Sequence, residues 1–182
     1  MVNNLFLGEF RFSVDAKGRV QVPVSYRERL SPESDRTFVL QRGRDRTIEV
    51  HPLSEWREYW DRTLQNLPKY QDRARKVRRL ALASAAEVQM DSQYRLLIPK
   101  HLLEWAGISS EAVLAGAGEY FEIWEPGRYD QFTEEARQTL DEDLAELERH
   151  GWGIETGPAE PRSQRAEGRV QQSDARPSEH RS

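Results

Sequence analysis

The residues best placed to do chemistry occur in two copies of one short motif, Asp-x-x-x-Arg. The first copy joins Asp15 to Arg19, and the second, 76 residues later, joins Asp91 to Arg95. Arginine offers five N–H donors in a rigid fork, which suits a phosphate and the O6/N7 edge of guanine alike. Lys17 adds a second cation to the first copy. The motif is therefore suited to binding nucleic acid.

The same motif also has a purely structural interpretation. Aspartate and Gly18 are typical turn residues, so each arginine could be no more than the exposed end of a strand. The aspartate, four positions before its arginine, could accept backbone N–H bonds in the turn and orient the guanidinium. A single copy favours the structural interpretation. Recurrence shifts the balance only in part, because a duplicated fold would keep its turns in any case.

The motif is part of a longer internal repeat. Residues 12–23 align with residues 88–99, and the proline that ends each segment is kept in register. Each copy then continues with an amphipathic stretch, two short apolar runs and a helical pattern. The apolar runs are residues 37–40 and 47–50 in the first copy and residues 112–115 and 120–124 in the second. Duplication of one half is the economical explanation.

The hydrophobic periodicity predicts the elements of each half. Apolar residues alternate on either side of each turn, which predicts a two-stranded hairpin with one solvated face. Pro23 and Pro99 favour the starts of short helices. The buried faces of these short helices are predicted to hold Tyr26 and Leu30 in one copy and Leu102, Leu103 and Ala106 in the other. Longer helical patterns cover residues 53–67 and 129–147, and a basic helical pattern covers residues 71–86 between the halves.

The predicted fold class is α+β, with two tandem pseudo-repeated halves and flanking helices. The halves are assigned to residues 5–67 and 86–154, the basic linking helix to residues 68–85 and a disordered tail to residues 155–182. A half of about 75 residues buries little surface, so the two halves are expected to pack together. Hairpins also leave strand edges that must be covered, which predicts a homo-oligomer.

The net charge of -4 conceals a strong asymmetry along the chain. Residues 1–100 carry 19 Lys and Arg against 13 Asp and Glu, whereas residues 101–154 carry 3 against 13. Screening limits the reach of a charge to about 8 Å at physiological salt, so the basic region can bind phosphate locally. No apolar run approaches the roughly 20 residues that cross a bilayer, and no signal peptide is recognisable. These features favour a cytoplasmic location and no membrane partner.

The sequence contains few candidates for catalytic residues. The chain has no cysteine, and its histidines, at positions 51, 101, 150 and 180, form no metal-binding spacing. The acidic residues between positions 141 and 148 fit a solvated helix face better than a metal site. We therefore predict no catalytic residue, metal, cofactor or small-molecule substrate. The alternative to a DNA-binding protein is a protein-interaction module of the same class, whose acidic C-terminal helix binds a protein partner.

The two motif segments resemble the tandem motif of MraZ proteins. They read Asp-Ala-Lys-Gly-Arg-Val-Gln-Val-Pro from residue 15 and Asp-Ser-Gln-Tyr-Arg-Leu-Leu-Ile-Pro from residue 91. The resemblance covers roughly residues 5–152 and includes Phe-Glu-Ile-Trp at 121–124 and Arg-Arg-Leu-Ala-Leu at 78–82. Because MraZ halves belong to the SpoVT/AbrB-like swapped-hairpin class, the resemblance implies two tandem swapped-hairpin β-barrel halves.

The resemblance also implies a function and a set of binding residues. It implies a cytoplasmic, nucleoid-associated transcription factor that forms ring-like homo-oligomers. The implied target is double-stranded DNA, in repeated promoter boxes upstream of the division and cell wall gene cluster that includes its own gene. The implied DNA-binding residues are Lys17, Gly18, Arg19 and Arg95, while Asp15 and Asp91 are implied to be structural.

One position departs from the family pattern. The glycine that commonly precedes the second arginine is Tyr94 in this chain. A bulky residue would be strained there if the turn requires a positive φ, although its ring could stack or hydrogen-bond at a DNA backbone. The second turn is therefore expected to be strained and to differ in shape from the first.

Overall fold

The strands and helices follow one another in the order that the internal repeat predicts. The computed structural model describes residues 5–34 and 36–151, and the predicted tail at residues 155–182 lies outside them. The first half contains β1 (Glu9–Ser13), β2 (Arg19–Gln21), α1 (Val24–Arg27), β3 (Thr37–Arg42), β4 (Ile48–Pro52) and α2 (Leu53–Tyr59). The linking helix is α3 (Asp72–Ser84). The second half contains β5 (Ala86–Gln89), β6 (Arg95–Leu97), α4 (Lys100–Ala106), β7 (Glu111–Gly116), β8 (Phe121–Trp124) and α5 (Pro126–Arg149).

These elements confirm a mixed α and β architecture with mostly antiparallel strands. Six strands form one sheet in the order β1-β7-β8-β4-β3-β5, and β2 pairs with β6 in a separate two-stranded ribbon. All of these pairings are antiparallel. One compact unit, Met1–Ala136, holds every described strand, and the second unit, Arg137–Ser182, is described only at residues 137–151, the end of α5 and the two residues after it.

The prediction of two local hairpins is wrong. β1 pairs with β7, β5 pairs with β3, and β2 pairs with β6, so each strand beside a motif turn pairs with a strand of the other half. Of the expected first hairpin only the turn and an isolated bridge between Val14 and Val20 are formed. A lone two-stranded hairpin is marginally stable in water, whereas pairing across the halves lets both apolar faces enter one core.

The core is continuous across the two halves. Phe121, fully buried, lies among three rings of the first half, with centroid distances of 5.3 Å to Phe6, 5.0 Å to Tyr26 and 5.8 Å to Phe38. The Tyr26 hydroxyl donates a 2.8 Å hydrogen bond to the carbonyl oxygen of Gly8, which satisfies its one polar atom. Because the two halves share one core, the core shows no division between them. The boundaries of the halves therefore remain a prediction from the sequence repeat.

The short helices cover this core as the sequence predicts. α1 follows Pro23 and α4 follows Pro99. Tyr26, Leu102 and Ala106 are buried, and Leu30 and Leu103 are partly buried against the same cluster. Both helices therefore hold the segments that follow the ribbon strands firmly against the body.

The longer helices and the linking helix differ from the prediction in three ways. The helix predicted over residues 53–67 is α2 followed by a π-helical turn, Trp60–Leu64. In α3, Arg78 donates hydrogen bonds to the carbonyl oxygens of Leu64 (3.1 Å) and Leu67 (2.5 Å), so this cation of the basic helix serves the structure. The expected apolar stripe of α5 exists but leaves Phe132, Leu140 and Leu147 exposed.

Within the described residues, no helix is both long enough and apolar enough to cross a bilayer.

Candidate nucleic-acid interface

The two motif turns share one backbone geometry. In the first, the Gly18 N–H donates to the Asp15 carbonyl (2.8 Å), and the Asp15 N–H donates to the Arg19 carbonyl (3.0 Å). In the second, the corresponding distances from Tyr94 and Asp91 are 2.9 and 3.0 Å. Each turn is thus a three-residue loop closed by a left-handed residue. The expected difference in shape is not found.

Each aspartate supports its loop with one oxygen and holds its arginine with the other. Oδ1 of Asp15 accepts from the backbone N–H groups of Lys17 (2.9 Å) and Arg19 (3.0 Å). Oδ2 of Asp15 accepts from both Nε and Nη2 of Arg19, each at 2.7 Å. The second copy repeats this arrangement at 2.9 and 3.0 Å for the backbone bonds and 2.9 and 2.8 Å for the arginine. The carboxylate therefore fixes the loop and orients the guanidinium.

This pairing sets the ionisation of the two aspartates. The side-chain hydrogen bond from Arg19, aided by backbone N–H groups, lowers the pKa of Asp15 from 3.8 to about 2. The same causes, led by Arg95, lower the pKa of Asp91. Because the folded-state pKa lies below the unfolded one, the carboxylate stabilises the turn fully above pH 3.8. That contribution is lost as the pH falls through the folded-state value.

We expect the Asp15 carboxyl to stay ionised at pH 3 in the parent protein and to begin protonating near pH 4 in Arg19→Ala. Removing the guanidinium removes the largest cause of the lowered pKa, so the carboxyl returns toward its ordinary range. The carboxyl carbon chemical shift, followed by NMR during an acid titration, measures this directly. Arg95→Ala is the matched control and should leave Asp15 unchanged. Equal titration of Asp15 in the parent and in Arg19→Ala would contradict the assignment.

The position before each arginine is left-handed in both turns. Gly18 has φ +82° and Tyr94 has φ +60°, so the positive φ on which the expected strain at Tyr94 depends is present. A Cβ added to Gly18 would lie 3.0 Å from Cδ1 of Leu103 and 3.2 Å from the carbonyl oxygen of Ile98. Glycine therefore suits the first turn, because it adopts a left-handed φ without strain and because an added Cβ would make two tight contacts.

We expect Gly18→Ala to lower the free energy of unfolding by about 1–2 kcal/mol, the typical penalty for a left-handed non-glycine residue. Tyr94→Gly relieves the same penalty but loses the ring contacts, so its stability should remain within about 1 kcal/mol of the parent. Urea unfolding followed by circular dichroism compares the two variants. The interpretation fails if Tyr94→Gly destabilises the protein as much as Gly18→Ala does.

The ribbon places both motif arginines on one face. Arg19 pairs with Leu97, Val20 with Leu96, and Gln21 with Arg95. Val20 and Leu96 are fully buried, so the flanking residues of both strands point to the opposite face. Arg19 and Arg95 are diagonal neighbours on that face, with Cα atoms roughly 7–8 Å apart by the usual strand spacing. The two motifs therefore form one site, where the sequence suggested two separate ones.

Two polar residues at this site were not predicted from the sequence. Gln21 lies on the outer face of the ribbon, and its Nε2 donates a 3.1 Å hydrogen bond to the carbonyl oxygen of Gln93. Gln93 and Lys17 occupy the same place in the two turns, and both are exposed. The alternation of Lys17, Arg19 and Gln21 with the buried Val20 was the signal that could have identified Gln21.

The predicted binding residues differ in their freedom to reach a ligand. Lys17 is exposed and makes no ion pair with any residue that the structure describes. The side chains of Arg19 and Arg95 are 28% and 27% exposed and are paired with their aspartates. Gly18 is buried beneath the turn, where it shapes the loop without offering a side chain. The guanidiniums are thus pre-oriented groups at a solvent-facing surface.

His51 and His101 have structural surroundings. His51 is 7% exposed, lies 3.2 Å from Oε2 of Glu49 and stacks on Tyr120 with a centroid distance of 4.6 Å. His101 Nε2 lies 3.3 Å from the carbonyl oxygen of Ser84. In the part of the chain that the structure describes, no three His, Asp or Glu side chains are grouped closely enough to hold a metal ion.

The fold and the site define a class of tandem-repeat α+β proteins. In this chain each copy pairs strands with the other copy, and one Asp-x-x-x-Arg turn lies at each end of the β2–β6 ribbon. The chain belongs to the MraZ family: the family model described as "MraZ protein, putative antitoxin-like" matches it twice, over residues 5–80 and 81–149. This match confirms both the resemblance seen in the sequence and the presence of two repeats.

Curated relatives support the family assignment over most of the chain. A protein named transcriptional regulator MraZ from Pediococcus pentosaceus is 38% identical over 142 residues, which is 78% of this chain and 95% of the relative. A protein of the same name from Natranaerobius thermophilus is 34% identical over the same shares. Another from Roseiflexus castenholzii is 37% identical over 69% of this chain and 84% of the relative.

Proposed function

We propose that this protein is a sequence-specific transcriptional regulator that binds double-stranded DNA through the outer face of the β2–β6 ribbon. The observation that carries the proposal is that Arg19 and Arg95 share this face. A two-stranded ribbon fits the major groove of B-DNA, where arginine can bind guanine through O6 and N7. The names of the curated relatives support the same class of function.

The proposed roles of the site residues follow from their contacts. Each aspartate uses two N–H donors of its arginine, which leaves three of the five for a base edge or a phosphate. Lys17 supplies a charge that no described residue pairs with, at the tip of the first turn, and Gly18 permits the tight loop. Asp15 and Asp91 hold the arginines in place, as structural residues. DNA thus binds to guanidinium N–H donors that are already oriented and that lose little conformational freedom on binding.

The proposed mechanism is multivalent binding by an oligomer. Each protomer offers a weak ribbon contact, and a ring-like homo-oligomer presents several copies to repeated promoter boxes, which multiplies the effective concentration. Phosphate contacts supply most of the affinity and its salt dependence, while each good arginine–guanine pair discriminates by about 1–3 kcal/mol. Strand exchange between halves is compatible with two swapped-hairpin barrels, and we include this assignment in the proposal.

The proposed setting follows from the family. We place the protein in the cytoplasm, associated with the nucleoid, at promoter boxes upstream of the division and cell wall gene cluster that includes its own gene. Occupying the promoter is sufficient to repress transcription. The proposal requires no cofactor, metal ion or small-molecule substrate.

A protein-interaction module is the alternative function. The observation that favours it is the far part of α5, where Leu140 and Leu147 are exposed beside several acidic side chains. Such a module would form a tight complex with a protein partner through α5. Loss of the motif arginines would then leave its binding unchanged.

The test of the proposed function is binding to the DNA upstream of the gene. Fluorescence anisotropy compares this fragment with a scrambled fragment of equal length and base composition, at 50 and 200 mM salt. We expect tighter binding to the native fragment and a steep loss of affinity with salt. Equal binding to both fragments, or none by the intact oligomer, would favour the interaction module.

A further inference from the structure

A small cationic cavity lies beside the second turn. It has a volume of about 320 Å³, and its described lining includes Arg27, Ser31, Arg36, Met90 and Tyr94. That described lining contains two guanidinium groups and no carboxylate. We propose that Arg27, Arg36 and Tyr94 form a phosphate-binding site that takes a backbone phosphate of DNA. The inference rests on the proposed function and extends its contact surface.

The two arginines converge on one aromatic ring. The guanidinium carbon of Arg27 lies 4.2 Å from the centroid of the Tyr94 ring, and that of Arg36 lies 5.2 Å from it. A neutral ring attracts both cations but neutralises neither of them. Neither arginine makes a side-chain hydrogen bond or ion pair with another described residue, and Nε of Arg27 is buried without a partner. A tetrahedral oxyanion would supply the missing acceptors.

Backbone hydrogen bonds fix this group to the ribbon and its turn. The Tyr94 carbonyl accepts from the N–H of Val22, just after β2, at 3.0 Å. The Arg36 carbonyl accepts from the N–H of Met90, the residue before the second motif, also at 3.0 Å. The cavity therefore keeps its place relative to the outer face of the ribbon. A ribbon in the major groove is bordered by the phosphates of both strands. A site beside the ribbon would therefore bind one of these phosphates.

The strained tyrosine is explained by this arrangement. The corresponding position of the first turn is Gly18, whose nearest side chain is Leu103, the residue that matches Arg27 in the repeat. Ser110 corresponds to Arg36 by its hydrogen bond, because its carbonyl accepts from the N–H of Val14 as that of Arg36 accepts from the N–H of Met90. The first turn thus lacks both cations and the platform, but it carries Lys17 where the second has Gln93. Each turn therefore has at least one supplementary cation. In the second copy Tyr94 contacts both cations, and its left-handed φ is a kind of strain that is common at functional sites.

The test compares the salt dependence of DNA binding among ribbon-side variants. We expect the double variant Arg27→Ala/Arg36→Ala to reduce the slope of log affinity against log salt by about 0.9 for each protomer that contacts DNA, because the two arginines share one phosphate. Discrimination between native and scrambled fragments should persist, because a phosphate carries no sequence information. Tyr94→Phe keeps the platform and should bind within about twofold of the parent, whereas Tyr94→Gly should lose part of the slope.

The matched control is Arg128→Ala. Arg128 is an exposed arginine in the first turn of α5, and the two residues after it, Tyr129 and Asp130, contact Glu9 and Arg11 in the first three residues of β1. Its loss removes one positive charge, as each substitution of the double variant does, but should leave the slope unchanged. Light scattering verifies that each variant keeps the oligomer size of the parent. If the double variant fails to assemble, Arg36→Gln alone, at an exposed position, makes the same comparison.

The outcomes separate this inference from the proposed function. An unchanged slope in the double variant, while Arg19→Ala loses discrimination, would overturn the phosphate site and leave the DNA-binding function standing. Absence of specific DNA binding by the parent would instead overturn the proposed function. The alternative ligand is free inorganic phosphate. Its binding is tested by replacing chloride with phosphate at equal ionic strength and following the NMR signals of Tyr94. Phosphate binding lost in the double variant, without any change in DNA affinity, would overturn the assignment to DNA.

Discussion

Arg19→Ala is expected to lower the affinity for the native DNA fragment by about 5- to 150-fold, the range for losing one bidentate arginine–guanine pair. The loss is reinforced because Asp15, deprived of its guanidinium, presents an unpaired carboxylate to the DNA. Anisotropy titrations on native and scrambled fragments measure the effect. The oligomer size should not change, because Arg19 lies on the outer face of the ribbon.

Two further variants separate base recognition from charge. Arg19→Lys keeps the charge but loses the planar fork, so it should retain most of the salt-dependent, sequence-independent affinity and lose discrimination. Arg11→Ala is the matched control, because Arg11 is also paired with an aspartate, Asp130, but lies on β1 away from the ribbon. If Arg11→Ala weakened binding as much as Arg19→Ala, net charge alone would explain the affinity and the ribbon would have no special role.

Phe121→Ala is expected to lower the free energy of unfolding by about 3–5 kcal/mol, the usual effect of emptying a buried aromatic site. Phe121 is fully buried and contacts the rings of Phe6, Tyr26 and Phe38, which all belong to the other half. Because the core is shared, both halves should lose stability together in one cooperative transition. Urea unfolding at a fixed protein concentration, followed by circular dichroism, measures the change.

Phe132→Ala is the control for this prediction. Phe132 lies against Trp124 with a centroid distance of 5.0 Å, but 44% of it is exposed. Its removal should therefore change the free energy of unfolding by about 1 kcal/mol or less. Two separate transitions in Phe121→Ala, with one half still folded, would show that the halves are independently stable and would contradict the shared core.

The local features of the site were predictable from the sequence. The aspartate, the left-handed position and the arginine of each turn lie within five consecutive residues, so their hydrogen bonds depend on the local chain alone. The strain at Tyr94 was predictable for the same reason. The order of strands and helices followed from periodicity, because an element must bury one face whatever its partner is.

Strand partners and the shared face were decided only by the tertiary structure. Alternation predicted that β2 is a strand, but nothing near Arg19 could indicate that its partner begins 76 residues later, at Arg95. The choice depends on which apolar faces the whole core can bury, and a local hairpin could not bury both. The cluster of Arg27 and Arg36 on Tyr94 was hidden for the same reason, because it joins segments distant in sequence. The sequence by itself therefore determined the two turns and the family, and the tertiary structure decided that the turns form one surface.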